Sequence, residues 1–175
     1  MPAARPQVDS IALARRNWEA HGWNEAAPGM EALTAVMRSA QLMRQRADEV
    51  LKPFAISFPR YELLAMLMFS RTGALPMTKA SVRLHLPAAS VTHQVSQLEK
   101  AGLVRRQPDP NDGRGTLVSI TDQGIALVGA ATPVLNRYFC QLGLEPGELS
   151  QLVSLLNKVR QSHGDVVEEA KKQQP

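Results

Sequence analysis

The stretch PAASVTHQVSQLEK, Pro87–Lys100, decides the fold. Val91, Val95 and Leu98 recur at i, i+4 and i+7, which predicts a helix over Ala88–Ala101 with one apolar face. Gly102 follows as its C-terminal stop. Opposite the apolar stripe, Ser90, Thr92, His93, Gln94, Ser96 and Gln97 fall wholly or partly outside the core. These side chains are short, neutral and rich in donors and acceptors. Surface helices usually carry Glu and Lys, yet no acid occurs from Ala88 to Leu98. Such a face suits the DNA major groove. Gln pairs with adenine, Ser and Thr with several bases or phosphates, and Ala88 or Ala89 can touch a thymine methyl. The plainer reading is an ordinary polar helix face, and the neighbouring elements choose between the two.

Upstream, Leu86-Pro87 reads as a turn, and Thr78 is placed to cap a short helix over Lys79–His85. Leu75-Pro76-Met77 is short and extended. Before it, Pro59 suits the first turn of a helix running to about Ser70. That helix is apolar all round (Leu63, Leu64, Met66, Leu67, Met68, Phe69) and is therefore expected to be buried. Downstream come two short strands, Leu103–Gln107 and Thr116–Ile120. Between them PDPNDGRG, Pro108–Gly115, reads as a hairpin loop. A short helix, a tight turn, a longer helix and a two-stranded wing make a winged helix-turn-helix between roughly Leu63 and Thr121.

The wing adds a second surface. Arg114 stands near the hairpin tip between Gly113 and Gly115, where a guanidinium can enter a narrow minor groove. An acid at Asp112 would repel phosphate, so its expected role is to orient Arg114 or brace the loop. Arg105 and Arg106 open the wing and are placed to bind phosphates. Charge agrees. The chain carries +4 overall, but from Lys52 to Arg114 nine basic residues face four acidic ones, a net +5. The positive excess thus sits in the middle of the chain, as a phosphate-facing surface needs, although scattered solvated cations would give the same count.

The flanks are helical. Ile11, Leu13, Ala14 and Trp18 predict a short helix ending near Gly22, and 24–29 reads as a link. Leu33, Val36, Met37, Ala40, Met43, Ala47, Val50 and Leu51 form a helical stripe over 30–52 that Pro53 stops. Thr121 can cap a helix continuing past Tyr138, with Pro133 as a kink and Gly143 at its end; Pro146 opens a last helix. Residues 1–7 and the polar tail 168–175 are expected to be unstructured.

Several functions are set aside. No apolar run reaches the ~18 residues of a membrane span, and no signal peptide is visible, so a cytoplasmic location is expected. Cys140 has no second cysteine in the chain to pair with and reads as a buried structural thiol. The four histidines (His21, His85, His93 and His163) lie far apart, so no metal or other cofactor is expected. No nucleophile motif or phosphate-binding glycine loop appears, so no enzyme is expected. Trp18 and Trp23 flank His21 beside Arg15 and Arg16 and could line a pocket for an aromatic acid, with Arg38 meeting its carboxylate. Packing is the commoner use of such tryptophans, and surface exposure of such an arginine.

At this point a family resemblance becomes specific. Leu84–Arg106 and the segment from Asp109 to Gly124 resemble the MarR family of bacterial transcription regulators. Its Leu-Glu-x-x-Gly-Leu-Val segment falls on Leu98–Val104 and its wing motif Asp-x-Arg on Asp112 and Arg114. The resemblance is sharpest over about 60–125 and fits the helix order from Met30 to about His163. It implies a mostly α fold with a small β-wing and an intertwined helical homodimer. On that reading 1–29 is an N-terminal arm, 30–58 a dimerisation helix, 59–122 the winged helix-turn-helix, 123–165 the C-terminal dimerisation helices and 166–175 a tail. It also implies double-stranded DNA as partner, two half-sites in a pseudo-palindrome, and release by small aromatic or phenolic anions. The DNA-binding set, read from the helix face and the wing, is Ala88, Ser90, Thr92, His93, Gln94, Gln97, Arg105, Asp112 and Arg114, and the resemblance adds its wing motif at Asp112 and Arg114. The chain departs from the family at Pro87, where Ser or Asp often caps the reading helix, at His93, where a basic residue is common, and in its longer arm, residues 8–29. An architectural DNA-binding protein without an effector would share these motifs.

Overall fold

A computed structural model describes residues 8–110 and 112–168, with the backbone alone for Gly113 and Arg114. The expectations for residues 1–7 and for the tail after Glu168 lie outside the described residues. The chain divides into two compact units, Met1–Asn136 and Arg137–Pro175.

The first unit opens with α1 (Ser10–Ala20), started by Asp9, whose carboxylate accepts from the N–H groups of Ile11 at 3.0 Å and Ala12 at 3.2 Å. Gly22, at φ 81°, turns the chain. The second helix, α2 (Ala27–Leu51), starts inside the expected link, because Pro28 lacks an N–H and fits the first turn, where none is needed. A 3-10 turn (Lys52–Phe54) follows, with Pro53 inside it and Ala55 in the left-handed region. Ala47 and Leu51 bury the C-terminal end of α2, whereas Leu33, Val36 and Met37 are exposed.

Helix α3 (Phe58–Met68) is the core helix, with Tyr61, Leu63, Leu64 and Leu67 buried. Its first N–H, on Phe58, donates to the Asp48 carboxylate of α2 at 2.6 Å, so the preceding helix supplies the cap. Strand β1 (Ala74–Pro76) leads directly into α4 (Met77–Leu84), and α5 (Ala88–Lys100) follows. The expected cap at Thr78 is not used. The helix starts right after Pro76, which places Thr78 inside its first turn.

The wing is longer than expected. Strands β2 (Val104–Asp109) and β3 (Asp112–Ile120) run through most of the anticipated loop. Asp109 pairs with Asp112 but Pro108 pairs with Thr116, so residues 113–115 are an insert on β3. The bulge lets both strands continue past the glycines. The extended 74–76 segment also acquires a partner, pairing antiparallel with Leu117–Ser119 to give a sheet in the order β1-β3-β2.

Helix α6 (Asp122–Phe139), with Pro133 inside it, runs from the first unit into the second. Thr121 caps it as expected, accepting from Gly124 N–H at 3.1 Å while donating to the Gly102 carbonyl at 2.8 Å. The Tyr61 hydroxyl meets Thr132 at 2.7 Å and ties α3 to α6. In the second unit α7 (Pro146–Ser162) begins with a reciprocal cap between Glu145 and Glu148. Cys140 is exposed, contrary to the buried thiol expected, because α6 ends at Phe139 and leaves it in the following turn. No helix among the described residues is long and apolar enough to cross a membrane.

Candidate nucleic-acid interface

Helix α5 presents three faces. Val91 and Val95 are fully buried and Leu98 nearly so, which fixes the first face against the core. The second face carries Thr92, Ser96 and Glu99, again at i, i+4 and i+7, and is spanned by Arg106 of β2. One guanidinium nitrogen of Arg106 donates to the Thr92 carbonyl at 3.1 Å and to the Ser96 hydroxyl. Its Nε lies 3.5 Å from a Glu99 carboxylate oxygen, and its backbone N–H donates to the other at 3.2 Å. The third face stays open. Ala89, Ser90 and His93 are exposed on it, and Gln97 is half-exposed.

This arrangement divides the expected contact residues. Ala88, Ser90 and His93 stand free at the start and middle of α5. Thr92 is exposed, but its hydroxyl donates to the Ala88 carbonyl at 2.9 Å, and Ser96 donates likewise to the Thr92 carbonyl at 2.8 Å. The Thr92 hydroxyl therefore keeps exposed acceptor lone pairs with its proton already placed, whereas the Ser96 oxygen accepts from Arg106. Gln94 is half-buried, and its amide oxygen is covered without a hydrogen-bond partner. Pro87 occupies the cap position and no side chain caps α5, so the first N–H groups of the helix are left without a side-chain acceptor.

Along β2 the side chains alternate. Val104 is buried and Arg106 turns to α5, so Arg105 and Gln107 face the other way and are exposed. The two arginines, expected to act alike, are thus separated: Arg105 is open to a phosphate and Arg106 is committed inside the chain. Asp109 is buried beside the bulge, and a Cβ on Gly115 would come within 3.1 Å of both Asp109 and Asp112. The acids and the glycine therefore pack closely, which suits a bracing role for Asp112. The side chain of Arg114 lies outside what is described; its backbone is part of the β3 bulge.

The sequence profile of the MarR family matches residues 57–116, which covers α3 through the first half of β3. Sco5413, a MarR family transcriptional regulator from Streptomyces coelicolor, superposes with a TM-score of 0.74 at 39% identity, over 81% of this chain and 99% of that one. The chain belongs to the MarR family. Sco3205, a MarR family regulator of the same organism solved in complex with DNA, matches at 25% identity with a TM-score of 0.71, over 80% of this chain and 91% of its own. An HTH-type transcriptional regulator of Mycobacterium leprae is 34% identical over 97 residues, 55% of this chain and 64% of that protein. The chain thus spans somewhat less than two thirds of that curated relative. The family is one of transcription regulators, not of enzymes.

The N-terminal residues singled out for a ligand do not converge. Trp18 and Trp23 pack edge to face with centroids 5.4 Å apart, and His21 stacks on Trp23 at 5.3 Å. Arg15 bridges Glu19 of its own helix at 2.9 Å and Glu31 of α2. The hydrogen bond to Glu19, then that to Glu31, raises the Arg15 guanidinium above its ordinary value. These contacts close the α1–α2 turn. Arg38 is exposed about 16 Å along α2 from that turn at the normal helical rise.

Sequence reasoning missed the role of Ser96 and Glu99 as anchors for Arg106. The available signal was the i, i+4, i+7 spacing of Thr92, Ser96 and Glu99, a second stripe beside the apolar one.

Proposed function

We propose that this chain is a cytoplasmic, sequence-specific DNA-binding transcription regulator that acts as a homodimer, most simply as a repressor, on a pseudo-palindromic operator. The observation that carries the reading is the open face of α5. It is polar, acid-free and exposed, while the opposite face is fully buried, so the helix offers a rigid surface to a major groove. On this reading Ala88, Ser90, Thr92, His93, Gln94 and Gln97 meet base edges or nearby phosphates. Arg105 meets a phosphate, and Arg114, braced by Asp112, enters the minor groove. The exposed stripe of α2 in one unit and the exposed Val153, Leu155 and Val159 of α7 in the other support a partner of the same kind.

An electrophoretic shift with the DNA flanking the protein's own gene tests the reading at moderate salt. A sequence-specific shift that weakens in Arg114→Ala is expected, and its absence would overturn the proposal. Release by a small aromatic or phenolic anion is a further part of the family pattern, with Trp18, Trp23 and Arg38 as its sequence-based contacts. The edge-to-face contact of the two tryptophans with each other, and the distance of Arg38 along α2, favour the alternative of a DNA-binding protein without an effector. A thermal-shift panel of aromatic acids separates the two. A stabilising acid that also releases DNA, with both effects lost in Trp23→Ala, would restore the ligand role.

A further inference from the structure

We propose that Arg106 is a positioning residue for DNA recognition, which fixes the rotation of the reading helix α5 relative to the wing. The proposal rests on the DNA-reading function above and assigns that function's geometry to one side chain.

The apolar layer cannot do this alone. Val91, Val95 and Leu98 hold α5 against the core, but apolar contact has no direction and tolerates a helix that rolls by a fraction of a turn. A roll would carry Ser90, His93 and Gln97 off the base edges they face. Arg106 supplies direction. It reaches positions 92, 96 and 99, about two turns spanning about 10 Å of helix axis. Its planar fork meets a carbonyl, a hydroxyl and a carboxylate at once, which a single ammonium cannot match. Its own base is fixed, because Arg106 pairs with Val118, which is almost fully buried on the central strand.

The anchoring groups are themselves held. Thr92 donates to the Ala88 carbonyl and Ser96 to the Thr92 carbonyl, so the Ser96 oxygen is turned with its lone pairs available to Arg106. The Nε of Arg106 is shielded from water and has no hydrogen bond, which leaves Glu99 at 3.5 Å as its nearby opposite charge. The hydrogen bonds to the Thr92 carbonyl and the Ser96 hydroxyl both come from one nitrogen, Nη2, which turns that edge of the guanidinium toward α5. On this proposal, loss of DNA binding on its removal comes through α5.

The test uses the full chain, with the duplex it selects from random-sequence DNA and a scrambled duplex of equal length. Arg106→Met is expected to weaken binding to the selected duplex about tenfold or more. The scrambled duplex should change little, and the salt dependence should keep its slope. A phosphate contact would behave otherwise: both duplexes would weaken alike and the slope would fall by about one. That result overturns the proposal. So does full rescue by Arg106→Lys, which keeps the charge and loses the fork. Ser96→Ala leaves the arginine in place and should reproduce part of the effect. A second arm needs no DNA. Amide exchange in free Arg106→Met should accelerate in α5 and β2 while α3 stays protected, and unchanged exchange in α5 overturns the tether. A wild type that binds no duplex overturns the DNA-reading function, and the exchange arm distinguishes the two failures.

Discussion

Helices α2 and α5 carry apolar stripes of the same period and meet opposite fates. Val91 and Val95 of α5 are 0% exposed, whereas Leu33 and Met37 of α2 are 63% and 57% exposed. Helix α5 is completed within its own chain: α3, α4 and β2, with Arg106, cover the faces that are not left exposed. Helix α2 is buried at its two ends, at Ala27 and at Ala47 and Leu51, with α1 packed on it, while Leu33, Val36 and Met37 of its stripe stay exposed. Period reveals that a stripe exists and does not say what covers it. On the proposed function the difference separates two tasks, since a reading surface must be rigid in one chain while an association surface stays incomplete until a partner arrives.

The sharpest way to break this comparison is to charge the open stripe. Leu33→Glu with Met37→Glu places two carboxylates in each protomer where an apolar partner is expected. Self-association should weaken by about a thousandfold or more, read by sedimentation, with the helical circular dichroism of the chain kept. Unchanged dimers would remove α2 from the interface and undo the contrast. Next in size is the closed stripe. Leu98→Ala should cost about 2–5 kcal/mol in urea denaturation, because the site is packed on all sides and cannot collapse. A loss under ~1 kcal/mol would mean that α5 is held more loosely than its burial implies.

The same contrast explains what the sequence made legible. The order of helices, the turn before Pro87 and the stop at Gly102 follow from local chemistry, and all are found. So does the cap at Thr121. The misses depend on non-local partners. Nothing local shows that Ala74–Pro76 will find the free edge of β3, or that Asp48 will reach ten residues on to cap α3. Local chemistry predicts too long a hairpin loop, because Pro108, Gly113 and Gly115 are ordinary turn residues, and only pairing reveals that the glycines form a bulge. At the candidate site the free face of α5 was legible from its composition. The split between Arg105 and Arg106 required the strand alternation and the position of Ser96 and Glu99 across from it.

Two glycines of α6 carry the comparison down to a single methyl group. A Cβ on Gly124 would lie 2.7 Å from Ile120 Cγ1 and closer still to the Leu103 carbonyl oxygen, whereas a Cβ on Gly129 meets nothing within 4 Å. Backbone at the base of the wing cannot yield cheaply. Gly124→Ala should therefore destabilise by about 1–3 kcal/mol. Gly129→Ala should stabilise by about 0.5–1 kcal/mol, since alanine is the better helix former and the site is open. Denaturation midpoints that move in the same direction for both would show that space at Gly124 is not the deciding factor.

The smallest expected effect lies at the joint between the two regions. Ala55 leaves the turn after α2 at φ 54°, ψ 31°, and is exposed, so its methyl group adds a left-handed penalty with little packing in return. That penalty is about 1–2 kcal/mol for a residue with a Cβ. Glycine removes it but gives the unfolded chain more freedom, a loss of about 0.5–1 kcal/mol. The difference favours Ala55→Gly by about 0.5 kcal/mol, a rise of a few degrees at most in the melting temperature. A lowered melting temperature would mean that the joint is strained usefully, with Ala55 restricting how α2 leaves the core, and the boundary between the closed and open regions would then lie at this residue rather than within α2.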